Sequence, residues 1–158
     1  MHTQNSPPKK GTRNMFFDIF STKNKKIVKR WMKEHEAIVV LAHKVIAAYS
    51  NNNHTLAKKE LASLNNVAVD HLMNEDIELF KLLKKRDEQH HKIENDIKKF
   101  KENFAETKIN LMKFLTYYSK RETPLDESFF DQFNSLVGIL GERIDFEENN
   151  LYQKLETI

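Results

Sequence analysis

Apolar positions recur at steps of three and four along four stretches of the chain, the spacing of one face of an α-helix. The first stripe is Ile27, Trp31, His35, Ile38, Ala42, Val45 and Tyr49, predicting a helix from Thr22 or Asn24 to about Tyr49. The second is Leu61, Leu64, Ala68, His71, Glu75, Leu79 and Leu82, with Thr55 as the expected cap. The third runs His90, Ile93, Ile97, Phe100, Phe104, Leu111, Leu115 and Tyr118. The fourth runs Phe130, Phe133, Val137, Leu140, Ile144, Glu147 and Leu151, capped by Asp126 or Ser128. Turns are expected at 50–54 (SNNNH), 84–87 (KKRD) and 119–124 (SKRETP). No segment alternates polarity as a half-buried strand would. Four amphipathic helices with short connections predict an all-α fold, an up-down-up-down four-helix bundle over residues 21–158. Residues 1–20 form a flexible basic N-terminal extension, unstructured over 1–14, with MFFDIF at 15–20 docking loosely on the body.

Composition agrees with long solvated helices: 158 residues with three glycines, three prolines and 31% charged residues. With no cysteine, disulfides and thiolate metal sites are excluded, which favours a cytoplasmic setting. No apolar run is long enough to span a membrane, and no signal peptide is recognisable. The net charge of +3 conceals an asymmetry. Residues 1–33 carry nine lysines and arginines against Asp18 alone, a net +8, and the remainder carries 17 against 22 acids, a net −5. The basic cluster at 23–30 reads as a solvated helix start rather than a nucleic-acid surface.

Four polar residues interrupt the stripes: His35, His71, Glu75 and Glu147. A buried carboxylate requires a hydrogen bond, a counter-charge or a metal. From His35 to Tyr49 is about 21 Å of helix, and from Thr55 to His71 about 24 Å. In antiparallel helices both histidines then lie at one level, and reflection through the later turns brings 143–147 to it. The four side chains form a polar layer inside the bundle. Two readings follow. In one, the layer holds metal ions, with Glu75 and Glu147 as ligands. In the other, Arg143 and Glu147 form an internal ion pair and the histidines a hydrogen-bonded network.

A repeat sharpens the question. HLMNEDIELF at 71–80 and RIDFEENNLY at 143–152 share a frame, with Arg143 standing where His71 does. Together with E34-H35-E36-A37-I38 and H90-H91-K92-I93, these segments resemble the hemerythrin-like (HHE) family. That resemblance implies a non-haem di-iron bundle that binds oxygen, senses oxygen or nitric oxide, or handles iron. Carried over by position, it implies His35, His71, Glu75, His90 and Glu147 as ligands. The family's histidine on the last helix is Arg143 here. A guanidinium does not ligate, so a degenerate or metal-free site is the alternative.

A shorter resemblance, to the Rsd/AlgQ family, rests on V28-K-R30-W31-M-K-E34, V69-D70 and E142-R143-I-D-F-E147-E148. It implies a metal-free bundle that binds the primary sigma factor of the transcription machinery, with Asp70 and Trp31 facing that partner. The periodicity alone places Trp31 in the core. His43 and His54 read as exposed. No nucleophile–base arrangement, Gly-rich phosphate loop or zinc motif is visible, so the expectation is a binding protein rather than an enzyme.

Overall fold

The structure, a computed structural model, describes residues 12–87 and 94–156. All regular elements among them are helical: α1 (Thr12–Ser50), α2 (His54–Asp87), α3 (Glu94–Ser119), α4 (Glu127–Phe146), a π-helical turn (Glu147–Leu151) and the short α5 (Tyr152–Glu156). The helix expected from Thr22 or Asn24 begins earlier, at Thr12, because no proline or glycine follows Gly11 to interrupt it. Asn24 is not a cap: it is buried, and its Nδ2 donates to the Leu155 carbonyl at 3.1 Å, tying α1 to α5. Residues 1–11 of the expected extension lie outside the described residues.

The α1–α2 turn falls within the predicted SNNNH segment. The amide of Asn53 donates to Ala48 O at 2.9 Å and that of Asn52 to Tyr49 O at 3.0 Å, closing the helix. Asn52 sits at φ 58°, a left-handed conformation asparagine tolerates better than most residues. The cap of α2 is Asn53 rather than Thr55: its Oδ1 accepts from the Leu56 amide at 3.1 Å. The turn expected at 84–87 is helical, since lysine and arginine are good helix formers; residues 88–93 lie outside the described residues. Asp126 caps α4, accepting from the Phe129 amide at 2.8 Å.

Contacts between helices fix their relative direction. Arg30 pairs with Glu78 and Glu34 with His71, so α1 and α2 run antiparallel. Phe114 packs on Phe133 and Tyr118 on Phe129, so α3 and α4 do likewise. On α4 the fully buried ring is Phe129 rather than Phe130, which is half-buried and stacks on Tyr49 at 4.7 Å. A one-residue offset of the stripe is enough for that exchange.

The apolar interior divides in two. The larger cluster includes Ile38, Val45, Leu61, Leu115, Phe129 and Phe133. The smaller contains Val28, Trp31, Leu79, Leu151, Tyr152 and Leu155. Between them lies a polar layer. No helix among the described residues is long and apolar enough to cross a membrane.

Candidate metal centre

His35 from α1, His71 and Glu75 from α2, and Glu147 from the π turn gather at one level. One donor atom from each lies within 4.8 Å of the others. All four residues are buried, with exposures of 2%, 7%, 2% and 1%. His71 and Glu75 are four apart on one helix and so share a face. The antiparallel pairing of α1 and α2 places the His35 ring against that face, edge-on to His71 with centroids 4.6 Å apart.

The two histidines are oriented alike. His71 Nδ1 is 2.8 Å from Glu34 Oε2, and His35 Nδ1 is 3.1 Å from Glu148 Oε1. Each ring thus turns Nδ1 to an outer carboxylate and Nε2 to the centre. His35 Nε2 lies 3.3 Å from Glu147 Oε2 and 3.6 Å from Glu75 Oε2. His71 Nε2 lies against the same Glu75 Oε2. That oxygen is buried and has no well-formed hydrogen bond among the described residues.

The remaining carboxylate oxygens are engaged elsewhere. Arg143, 4% exposed, donates from Nε to Glu147 Oε1 at 2.8 Å, and its guanidinium lies 5.8 Å from the Phe104 ring centroid. The Tyr152 hydroxyl donates to Glu75 Oε1 and lies 3.1 Å from Glu147 Oε2 and 3.3 Å from His35 Nε2. The π turn makes this possible. In an α-helix, residues five apart point about 140° apart. The wider turn, in which the Tyr152 amide bonds Glu147 O, brings the Tyr152 side chain over Glu147. It also lets consecutive Glu147 and Glu148 both reach His35, and consecutive Leu151 and Tyr152 both be buried.

Electrostatics in the layer are strongly coupled because apolar clusters flank it on both sides. Burial opposes charge on His35, but hydrogen bonds and attraction from Glu147 and Glu75 outweigh it, pushing the imidazole up to about 10. Burial also opposes charge on Glu147, yet His35 and Arg143 hold it down at about 2. Glu75 goes the other way: burial, with the charge of Glu147, pushes it up to about 8. Burial and the His35 charge lower His71. Burial and the two carboxylates raise Tyr152.

His90 and His91 lie outside the described residues. His43 and His54 are exposed. Asp70 is exposed on α2, but Trp31 is 1% exposed and packs on Tyr152 at 5.5 Å. A partner-facing role for Trp31 is therefore corrected: its indole belongs to the interior, as the periodicity of α1 requires. Sequence reading missed Glu34, Glu148 and Tyr152 as members of the layer. Each adjoins a stripe position or occupies the motif's aromatic position, where only the polar tip marks it out.

A pocket of about 170 Å³ opens between α1 and α2 and is lined by Arg30, Glu34, Asp70, His71, Glu75 and Glu78 among others. Of the four residues of the layer, His71 and Glu75 line it. The exposed Arg30–Glu78 pair, 3.0 Å apart, stands on its lining.

A family model described as Hemerythrin HHE cation binding domain matches residues 26–155. No curated protein and no solved structure matches the chain.

Proposed function

The chain belongs to the hemerythrin HHE cation-binding family, and we propose on that premise that it is a non-haem iron protein that senses oxygen or nitric oxide or handles iron. The observation that carries this reading is the orientation of the two histidines. Both aim Nε2 inward and anchor Nδ1 on a carboxylate, Glu34 or Glu148. Metal-ligating histidines are commonly held this way, because the outer bond selects the tautomer and raises the basicity of the inner nitrogen.

The donor chemistry fits. Two imidazoles and two carboxylates suit a first-row divalent ion of borderline softness, and Glu75 Oε2 faces both inward imidazole nitrogens without a well-formed hydrogen bond of its own, a position a cation would satisfy. His35, His71, Glu75 and Glu147 would hold the ion. When bound, iron supplies a site for a diatomic ligand that organic side chains do not offer. The pocket lined by His71 and Glu75 is the side from which a small molecule or a hydrated ion would approach. The helices are read as one up-down-up-down bundle around this layer. The absence of cysteine favours a cytoplasmic setting, and the role is binding rather than catalytic turnover.

Protein purified aerobically without chelator should contain iron and absorb in the near-ultraviolet. Glu34→Gln keeps the fold and most of the hydrogen-bonding shape but weakens the outer anchor of His71. It should lower iron(II) affinity by about 10- to 100-fold. Protein that is metal-free as purified, and still metal-free after anaerobic iron loading, would sink the reading. Iron-loaded protein whose spectrum is unchanged by nitric oxide would remove gas sensing and leave iron handling.

A further inference from the structure

We propose that the centre holds one divalent cation rather than two, and that the Arg143 guanidinium occupies the place a second ion would need. The inference rests on the metal reading above. It comes from the division of labour among the carboxylate oxygens. A carboxylate that bridges two ions in the common bidentate way gives one oxygen to each. Here Glu147 commits Oε1 to Arg143, and Glu75 commits Oε1 to the Tyr152 hydroxyl. Each turns only Oε2 to the histidines. Among the described residues the inward donor set is therefore two imidazole nitrogens and two carboxylate oxygens.

Dimensions agree. The four donor atoms lie within 4.8 Å of one another. Opposite ligands of one ion, with bonds of about 2.1 Å, are about 4.2 Å apart, so a slight contraction suffices. Two ions about 3.5–4 Å apart would spread their terminal ligands over roughly 8 Å. The charge argument points the same way. Arginine stays protonated, and at 4% exposure its charge acts with little solvent screening. An ion placed at Glu147 Oε1 would meet a fixed positive charge 2.8 Å from that oxygen. The layer thus carries one cation of its own and admits one from solution. His35 and His71 each have a single inward nitrogen, their Nδ1 atoms being turned to Glu148 and Glu34, so neither can serve a second ion.

Chelator-treated protein titrated anaerobically with cobalt(II) tests this. Bound metal is counted by elemental analysis after desalting and followed by ligand-field absorption. Saturation at one equivalent per chain supports the proposal. Saturation at two equivalents overturns it while leaving the metal reading standing. No binding overturns the metal reading and the proposal with it. Arg143→His removes the permanent charge, frees Glu147 Oε1 and adds a nitrogen donor, so the count should rise above one. A folded Arg143→His protein that still saturates at one equivalent would show that Arg143 is not what excludes the second ion, and would overturn the proposal. Should that variant fail to fold, the wild-type count decides alone.

Discussion

Replacing Arg143 with leucine should destabilise the metal-free protein by about 3–5 kcal/mol, the usual consequence of stranding one partner of a buried ion pair. The pair is the Arg143 Nε–Glu147 Oε1 bond at 2.8 Å, with both side chains almost wholly buried. Without the guanidinium, Glu147 keeps His35 as a counter-charge but faces Glu75 across the same layer, where two nearby carboxylates oppose each other's ionisation. Packing of the guanidinium against Phe104 is lost as well. For a domain of this size the melting temperature should fall by about 6–20 °C. The double variant Arg143→Leu/Glu147→Leu removes both charges and should recover part of the loss, the signature of a coupled pair. Urea or thermal unfolding of chelator-treated proteins measures this. An unchanged melting temperature for Arg143→Leu would mean that the pair contributes nothing to the fold.

The second large effect is a decline in the stability of the metal-free protein as pH rises from 6.5 to 10. His35 moves from 6.5 to about 10 on folding, so the folded state holds its proton longer. Its contribution is complete below 6.5 and is lost as pH climbs through 10. Glu75, raised from 4.5 to about 8, acts in the same direction up to that pH. Glu147 is lowered from 4.5, so its contribution is present above 4.5 and is lost only in acid. His71 is lowered from 6.5, so it too adds no slope above that value. Each retained proton changes stability by about 1.4 kcal/mol per pH unit. Between pH 6.5 and 9.5 the unfolding free energy of chelator-treated protein should drop by about 5–6 kcal/mol, roughly two thirds of it from His35 and the rest from Glu75. A level or rising profile would show that His35 is not held protonated by the carboxylates. Stabilisation by added metal should run the other way and grow with pH, because a ligating imidazole must be neutral.

Much of this was legible in the residues themselves. The stripes on α1 and α2 were read almost position by position: Trp31, His35, Ile38, Ala42 and Val45, then Leu61, Leu64, Ala68, His71, Glu75 and Leu79 are all buried. Helical periodicity is a one-dimensional property, and counting rise along antiparallel helices was enough to bring His35, His71, Glu75 and Glu147 to one level. Asp126 and Ser128 were both recognisable as candidate caps, because a short polar side chain before an aromatic stripe has an obvious use for its oxygen; the structure uses Asp126. The start of α1 and the end of α2 were not: after Gly11 no proline or glycine interrupts α1, and the lysines and arginine at 84–86 have good helix propensity where a turn was expected.

What only the tertiary structure decided is the direction in which each polar tip points. Glu34 and Glu148 are ordinary helix acids in sequence; only the opposing helix supplies the imidazole that each anchors. Tyr152 reads as an apolar ring, and its hydroxyl enters the layer only because the chain takes a π turn between Glu147 and Leu151. Such a turn adds one residue to a ring of backbone hydrogen bonds. What selects it is the simultaneous burial of Leu151 and Tyr152 and the use of both Glu147 and Glu148 on His35, demands that arise from neighbouring helices and leave no trace in local periodicity. Spacing along a helix follows from the chain, but which oxygen of a carboxylate faces a cation and which faces an arginine depends on contacts across helices, and those exist only once the bundle is packed.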